Sequence, residues 1–171
     1  ISCALVHKQH SLFIINKLIK NMYIRSLLIC FASLLVGALA GTSEEGLKWL
    51  AAKAKEADVV TLDSGLLYKE LVTGSGKTPK INTPTKCHYE GKLIDGTVFD
   101  SSYKRGEPLT FAPNQVIKGW TEAMQLMKEG SKWELYIPSE LGYGDRGAGG
   151  MIPGGAVLHF TMEMIEVQES Q

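Results

Sequence analysis

Apolar residues alternate with polar ones over several stretches of the chain, and each such stretch reads as a half-buried strand. Ser131–Pro138 places Trp133, Leu135 and Ile137 on one face, and Ala156–Val167 places Leu158, Phe160, Met162 and Met164 on one face. Lys86–Leu93 reads as a further strand. Ile94-Asp95-Gly96-Thr97 then signals a hairpin that Val98–Ser101 continues. Leu66–Val72 alternates less regularly, and Pro108–Phe111 is a short extended piece. Twice the period changes to that of a helix. Thr42 and Glu45 fit a capping box ahead of Leu47, Leu50, Ala51 and Ala54, which predicts a helix over 43–57 with Trp49 off its apolar stripe. Trp120, Ala123, Met124 and Met127 share one side of a second helix over 119–128, with Gly130 as its terminator. Lys77–Pro84 and Leu141–Gly155, the latter with seven glycines, read as loops. Many strands and one central helix predict an α+β fold, an antiparallel sheet curled around a helix.

The pattern before residue 41 is different. Met22, Tyr23, Ile24 and Arg25 precede an uncharged, apolar run from Ser26 to Gly41 that ends Ala38-Leu39-Ala40. A basic start, an apolar stretch and a small-x-small ending read as a secretory signal peptide over 22–40, with cleavage after Ala40. The apolar run is shorter than the ~20 residues of a spanning helix, and an uncleaved anchor is the alternative. The chain begins with Ile, and Met22 opens the leader well. Residues 1–21 are therefore expected to be translation of sequence upstream of the true start, or else an extended targeting segment.

Charge follows the same division. The whole chain of 171 residues has 18 basic and 18 acidic side chains. Residues 1–40 hold four of the basic ones and none of the acidic. Residues 41–171 keep 14 basic and 18 acidic side chains, a net of −4. That balance gives no basic stripe for nucleic acid. Cys87 is the one cysteine after the leader, so no internal disulfide and no zinc cluster is expected.

Several motifs mislead. Gly74-Ser75-Gly76-Lys77-Thr78 ends like a phosphate loop, but Leu71 stands where the first glycine is needed, and Pro79 stands where a helix must open. Gly142-Tyr143-Gly144-Asp145-Arg146-Gly147 has dinucleotide-type spacing without the strand and helix that give it meaning. Asp100, Ser101 and His88 or His159 suggest a hydrolase triad, but no nucleophile elbow is present. An enzyme of this sequence is expected to work without metal, cofactor or nucleophile.

What remains is a set of aromatic and apolar residues at strand ends and loops: Tyr89, Phe99, Val116, Ile117, Trp120, Tyr143, Ile152 and Phe160. They line one cleft or fill the core. Asp100 and Arg105 lie where an ion pair could brace a rim. Tyr89-Glu90-Gly91-Lys92-Leu93, Asp95 through Ser102, Val116-Ile117-Lys118-Gly119-Trp120 and Leu141-Gly142-Tyr143-Gly144 occur in an order that resembles the FKBP-type peptidyl-prolyl cis-trans isomerases. The likeness runs from about Ser64 to Val167. Val59-Val60-Thr61 and Ser64-Gly65-Leu66-Leu67-Tyr68 are similar to the macrophage infectivity potentiator-like branch.

The resemblance implies a half-barrel of five to six antiparallel strands wrapped around one short helix, with a short N-terminal helix and linker over 41–63 and the isomerase domain over 64–171. It implies catalytic roles for Asp100, Phe99, Tyr143 and the Ile117 backbone. Tyr89, Val116, Trp120, Ile152, Phe160, Arg105 and Leu109 would bind substrate, with Trp120 as floor. Leu109 stands where the family often has an aromatic, Ala148 and Met151 fall at variable loop positions, and Ala112–Gln115 is one residue short. The implied activity is rotation of X–Pro bonds in secretory-pathway proteins. The alternative is a catalytically weak module that binds proline-containing partners. Expected partners are proline-containing peptides, unfolded clients and macrolides such as FK506 and rapamycin. Nucleic acid is not expected, nor membrane after leader cleavage. The expected state is a monomer that is secreted, in the endoplasmic reticulum lumen or in the bacterial periplasm.

Overall fold

Strand β3 (Thr85–Lys92) sets the architecture, because its residues are alternately buried and half-exposed along its whole length. In the computed structural model, which describes residues 41–168, it lies near the middle of an antiparallel sheet. Among the described residues that sheet has seven strands, adding β1 (Val59–Thr61), β2 (Leu67–Val72), β4 (Val98–Ser101), β5 (Leu109–Phe111), β6 (Lys132–Ile137) and β7 (Leu158–Val167). The order is β1-β2-β6-β7-β3-β4, and β5 pairs with β3 beside that path. The expected class holds, and the short strand β1 joins the sheet as an added edge strand. The expected leader segments, 1–21 and 22–40, lie outside the described residues.

The concave face of the sheet is covered by α3 (Lys118–Met124), which buries Trp120, Ala123 and Met124. Cys87 and Tyr89 of β3, Trp133, Leu135 and Ile137 of β6, and Phe160, Met162 and Met164 of β7 meet it in one cluster. The helix is shorter than the sequence predicts. It ends before Gln125, while Met127 stays fully buried beyond it. Gly130 does not cap this helix. It takes a left-handed φ of 87° in the turn leading to β6, and its N–H donates to the Met164 carbonyl.

The N-terminal helix α1 (Glu44–Lys53) is also shorter than expected. Its cap is Ser43, whose Oγ accepts from the Gly46 N–H, and not Thr42. Thr42 instead ties the chain to the loop after β6: its hydroxyl donates to Glu140 and accepts from the Ser139 N–H. The buried face of α1 is Gly46 and Leu50, while Leu47 is 55% exposed and Ala51 and Ala54 face solvent. Leu50 joins Leu67, Tyr136 and Val157 in a second small cluster, and the Trp49 ring packs edge-on to Tyr136 at 5.6 Å. Helix α1 therefore packs on the outside of the sheet, and the residues after it join the sheet as β1. No helix among the described residues is long and apolar enough to cross a membrane.

Candidate active site

The hairpin of β3 and β4 carries a β-bulge where the site needs one. Gly91 pairs with Asp100 and Lys92 pairs with Val98, so Phe99 is the extra residue. Strict alternation would send Phe99 and Asp100 to opposite faces, but a bulge turns an extra side chain out of register. Both residues line the same cleft as a result. Gly91 makes the arrangement possible. A Cβ there would lie 2.5 Å from Phe160 and 2.6 Å from Phe99, and without it those two rings pack edge to face at 5.4 Å.

The cleft has a volume of about 450 Å³. Trp120 lies 5% exposed at its base, surrounded by three rings: Tyr89 at 5.0 Å, Phe160 at 4.9 Å and Phe111 at 5.2 Å. The Tyr89 and Phe160 rings meet it edge to face, and such pairs contribute about 0.5–1.5 kcal/mol each beyond burial. Trp120 Nε1 is buried without a hydrogen-bond partner among the described residues. The walls above the aromatic base come from Leu109, Val116, Ile117 and Tyr143. The short helical turn Pro113–Gln115 holds this wall in place. Gln115 Oε1 accepts from the Ala112 N–H at 2.9 Å, and the Thr121 hydroxyl donates to the Pro113 carbonyl at 2.6 Å.

One edge of the cleft is polar. The Tyr89 hydroxyl donates to Asp100 Oδ2 at 2.6 Å and accepts from Arg105 Nη2 at 2.8 Å. Arg105 Nη1 closes the triangle on Asp100 Oδ1. Arg105 belongs to a four-residue helix, α2 (Ser102–Arg105), which the sequence pattern does not predict. Ser101 caps it, and Gly106, at φ 79°, ends it. Burial opposes the charge on Asp100, but the hydrogen bonds from Tyr89 and Arg105 outweigh it and hold the carboxyl below its ordinary range. Burial, reinforced by the Asp100 carboxylate, raises the Tyr89 phenol. Tyr89 therefore stays neutral and donates.

Nine of the sequence-selected residues line this cleft: Tyr89, Phe99, Asp100, Leu109, Val116, Ile117, Trp120, Tyr143 and Phe160. Ile152 does not. It is 8% exposed, packs in the core and forms a bridge with Ala148. Arg105 is not in the lining either and acts behind it, through Asp100 and Tyr89. Phe111 and Gln115 line the cleft without having been selected from the sequence. Phe111 had a signal, because Leu109 and Phe111 are two apart on one short strand and share a face. Gln115 had none. No group of three or more His, Cys, Asp or Glu among the described residues could hold a metal ion.

A family model described as FKBP-type peptidyl-prolyl cis-trans isomerase matches residues 75–165, which span the hairpin, the α3 floor and the Tyr143 loop. The chain belongs to this family. Its relatives place it in the macrophage infectivity potentiator branch. The macrophage infectivity potentiator of Trypanosoma cruzi is 51% identical over 125 residues, covering 72% of this chain and 64% of that protein. The FKBP-type 22 kDa peptidyl-prolyl cis-trans isomerase of Escherichia coli is 51% identical over 123 residues, covering 72% of this chain and 60% of that one. The peptidyl-prolyl cis-trans isomerase Mip of Coxiella burnetii is 46% identical over 127 residues, at 74% and 55% coverage. The chain thus spans less than two thirds of the length of these FKBP relatives. Among solved structures, a peptidyl-prolyl cis-trans isomerase from Pseudomonas syringae superposes with a TM-score of 0.69 at 37% identity. That match covers 74% of this chain and 92% of the other.

Proposed function

We propose that this FKBP-family chain accelerates cis–trans rotation of X–Pro bonds in proline-containing peptides and unfolded proteins. The observation that supports it most is the aromatic base around Trp120, with a polar edge made by Asp100 beside it. An X–Pro amide resists rotation by ~18–20 kcal/mol because resonance gives its C–N bond double-bond character. At the twisted geometry that resonance is lost and the amide is less charge-separated. A dry, apolar cleft favours the twisted amide over the planar one, and only such a difference speeds the step. Trp120, Phe99, Tyr89 and Phe160 receive the proline ring and exclude water. The Ile117 N–H, outside the helix and strand ladders at the cleft wall, holds a substrate carbonyl. Tyr143 donates to a second carbonyl, and Asp100 orients the cleft edge. Every step is a non-covalent one.

The same cleft suits a macrolide such as FK506 or rapamycin. Leu109, 36% exposed, replaces a ring with a branched aliphatic wall and sets the affinity for such ligands. The leader over 22–40 sends the chain into the secretory route. The outer membrane protein MIP of Legionella longbeachae, 44% identical over 126 residues, supports an envelope or luminal destination. Helix α1 has ten residues and is docked on its own sheet, which supports a monomer.

The test is cis-to-trans relaxation of short X–Pro peptides by residues 41–171, with and without rapamycin. Fast, rapamycin-sensitive exchange is expected. A folded sample that leaves the uncatalysed exchange time of ~10–100 s unchanged would reduce the chain to a binding module.

A further inference from the structure

The segment just after the expected cleavage point is strapped across the loop that carries Tyr143. Gly41 N donates to Asp145 Oδ1 at 2.6 Å, and Thr42 N donates to Glu140 Oε1 at 2.8 Å. Ser43 N donates to the Gly155 carbonyl at 2.9 Å. Three consecutive amides therefore engage the beginning, middle and end of the 139–155 loop. Gly41 itself lies between two carboxylates. Its φ of 143° favours glycine, and a Cβ at this position would fall 2.6 Å from Glu140 Oε1. Neither Glu140 nor Asp145 forms a salt bridge with a Lys or Arg among the described residues. Asp145 thus faces the Gly41 nitrogen and Glu140 the one after it, and both, as peptide N–H groups, carry no charge.

We propose that Glu140 and Asp145 form a binding site for the α-ammonium group of Gly41, created when the leader is removed after Ala40. This rests on the processing reading above. Hydrolysis of the Ala40–Gly41 bond adds one water, leaving a carboxylate on Ala40 and an amine on Gly41. That amine has an ordinary pKa of about 7.7–8.0 and is protonated at neutral pH. The nitrogen already sits at hydrogen-bond distance from Asp145, so the new charge arises in place. The positive end of the α1 dipole opposes it, but the Asp145 carboxylate touches the nitrogen directly. Asp145 packs against the far side of the loop, where a Cβ on Gly154 would strike the Asp145 carbonyl at 2.0 Å. An ion pair at Asp145 would tether the loop two residues beyond Tyr143 of the cleft wall.

Two measurements test the site. The full secreted chain, purified from a secreting host, is first read by intact mass for its first residue, and Gly41 is expected. Chains beginning at Gly41 are then prepared with a free amine and with an acetylated one, each also as Asp145→Asn. Hydrogen exchange at amides 142–150 and the melting temperature are compared. An exposed ion pair of this kind predicts exchange about 1.5- to 5-fold slower with the free amine, and a melting temperature a few degrees higher. Asp145→Asn should erase both differences. Equal exchange and melting for free and acetylated chains would overturn the site while leaving the processing intact. A different first residue would overturn the processing reading, and with it the ligand.

Discussion

Asp100 is held by two neighbours that pull its carboxyl in one direction while burial pulls it in the other. The hydrogen bonds win, and its folded pKa lies below the ordinary value of about 3.9. A depressed folded pKa means the carboxylate contributes stability above the unfolded value, and that contribution disappears as pH falls through the lower folded value. The pH profile of kcat/KM should therefore be flat from neutral down to about pH 5, with any acid limb below 3.9. A midpoint above 3.9 would show that the Tyr89–Asp100–Arg105 triangle is not formed in solution. Asp100→Asn should lower kcat/KM about tenfold with little loss of thermal stability, because the side chain is half-exposed. Gly91 responds differently. Gly91→Ala drives a methyl group into Phe99 and Phe160 and should cost about 1–3 kcal/mol in urea unfolding. Combining it with Phe99→Ala should cost less than the two single changes added together, since one of the two collisions is then removed.

At the scale of elements, α1 and its C-cap Ala54 separate two readings of one segment. Periodicity nominates Leu47, Leu50, Ala51 and Ala54, whereas packing selects Gly46 and Leu50 alone. Leu50→Ala should destabilise by about 2–3 kcal/mol, and Leu47→Ala should stay within about 0.5 kcal/mol. Denaturant midpoints of the two variants decide between the readings. Strands β3, β6 and β7 were legible because each buries one face against α3 and so keeps a period of two. Helix α2 was not, since four residues carry no periodicity and are fixed by the Ser101 cap and Gly106. Strand β1 was not, because it buries almost nothing. The cleft was legible where aromatic residues lie on strands. Its bulge was illegible, because it depends on the register of Phe99 against Gly91 and not on residue type. Ile152 was assigned to the cleft on the character of its side chain, but the bridge to Ala148 turns it toward the core.

For the molecule as a whole, Cys87 reports on the integrity of the core. It is fully buried, and burial pushes its thiol up to about 12. At pH 8 the native protein should react with a disulfide reagent only as fast as the core opens, and stoichiometrically once unfolded. Rapid labelling of folded protein would show that β3 and α3 separate readily.

The pairing of β3 with β7 also determines when the cleft comes into existence. Tyr89 and Phe160 meet only after the last strand has been inserted between β6 and β3. All six prolines of the chain precede that strand in sequence. A nascent chain emerging residue by residue therefore holds every one of its own prolyl bonds before it has any cleft to act on them. On the proposed isomerase activity a finished copy helps an unfinished one, and refolding should become faster as the starting concentration is raised.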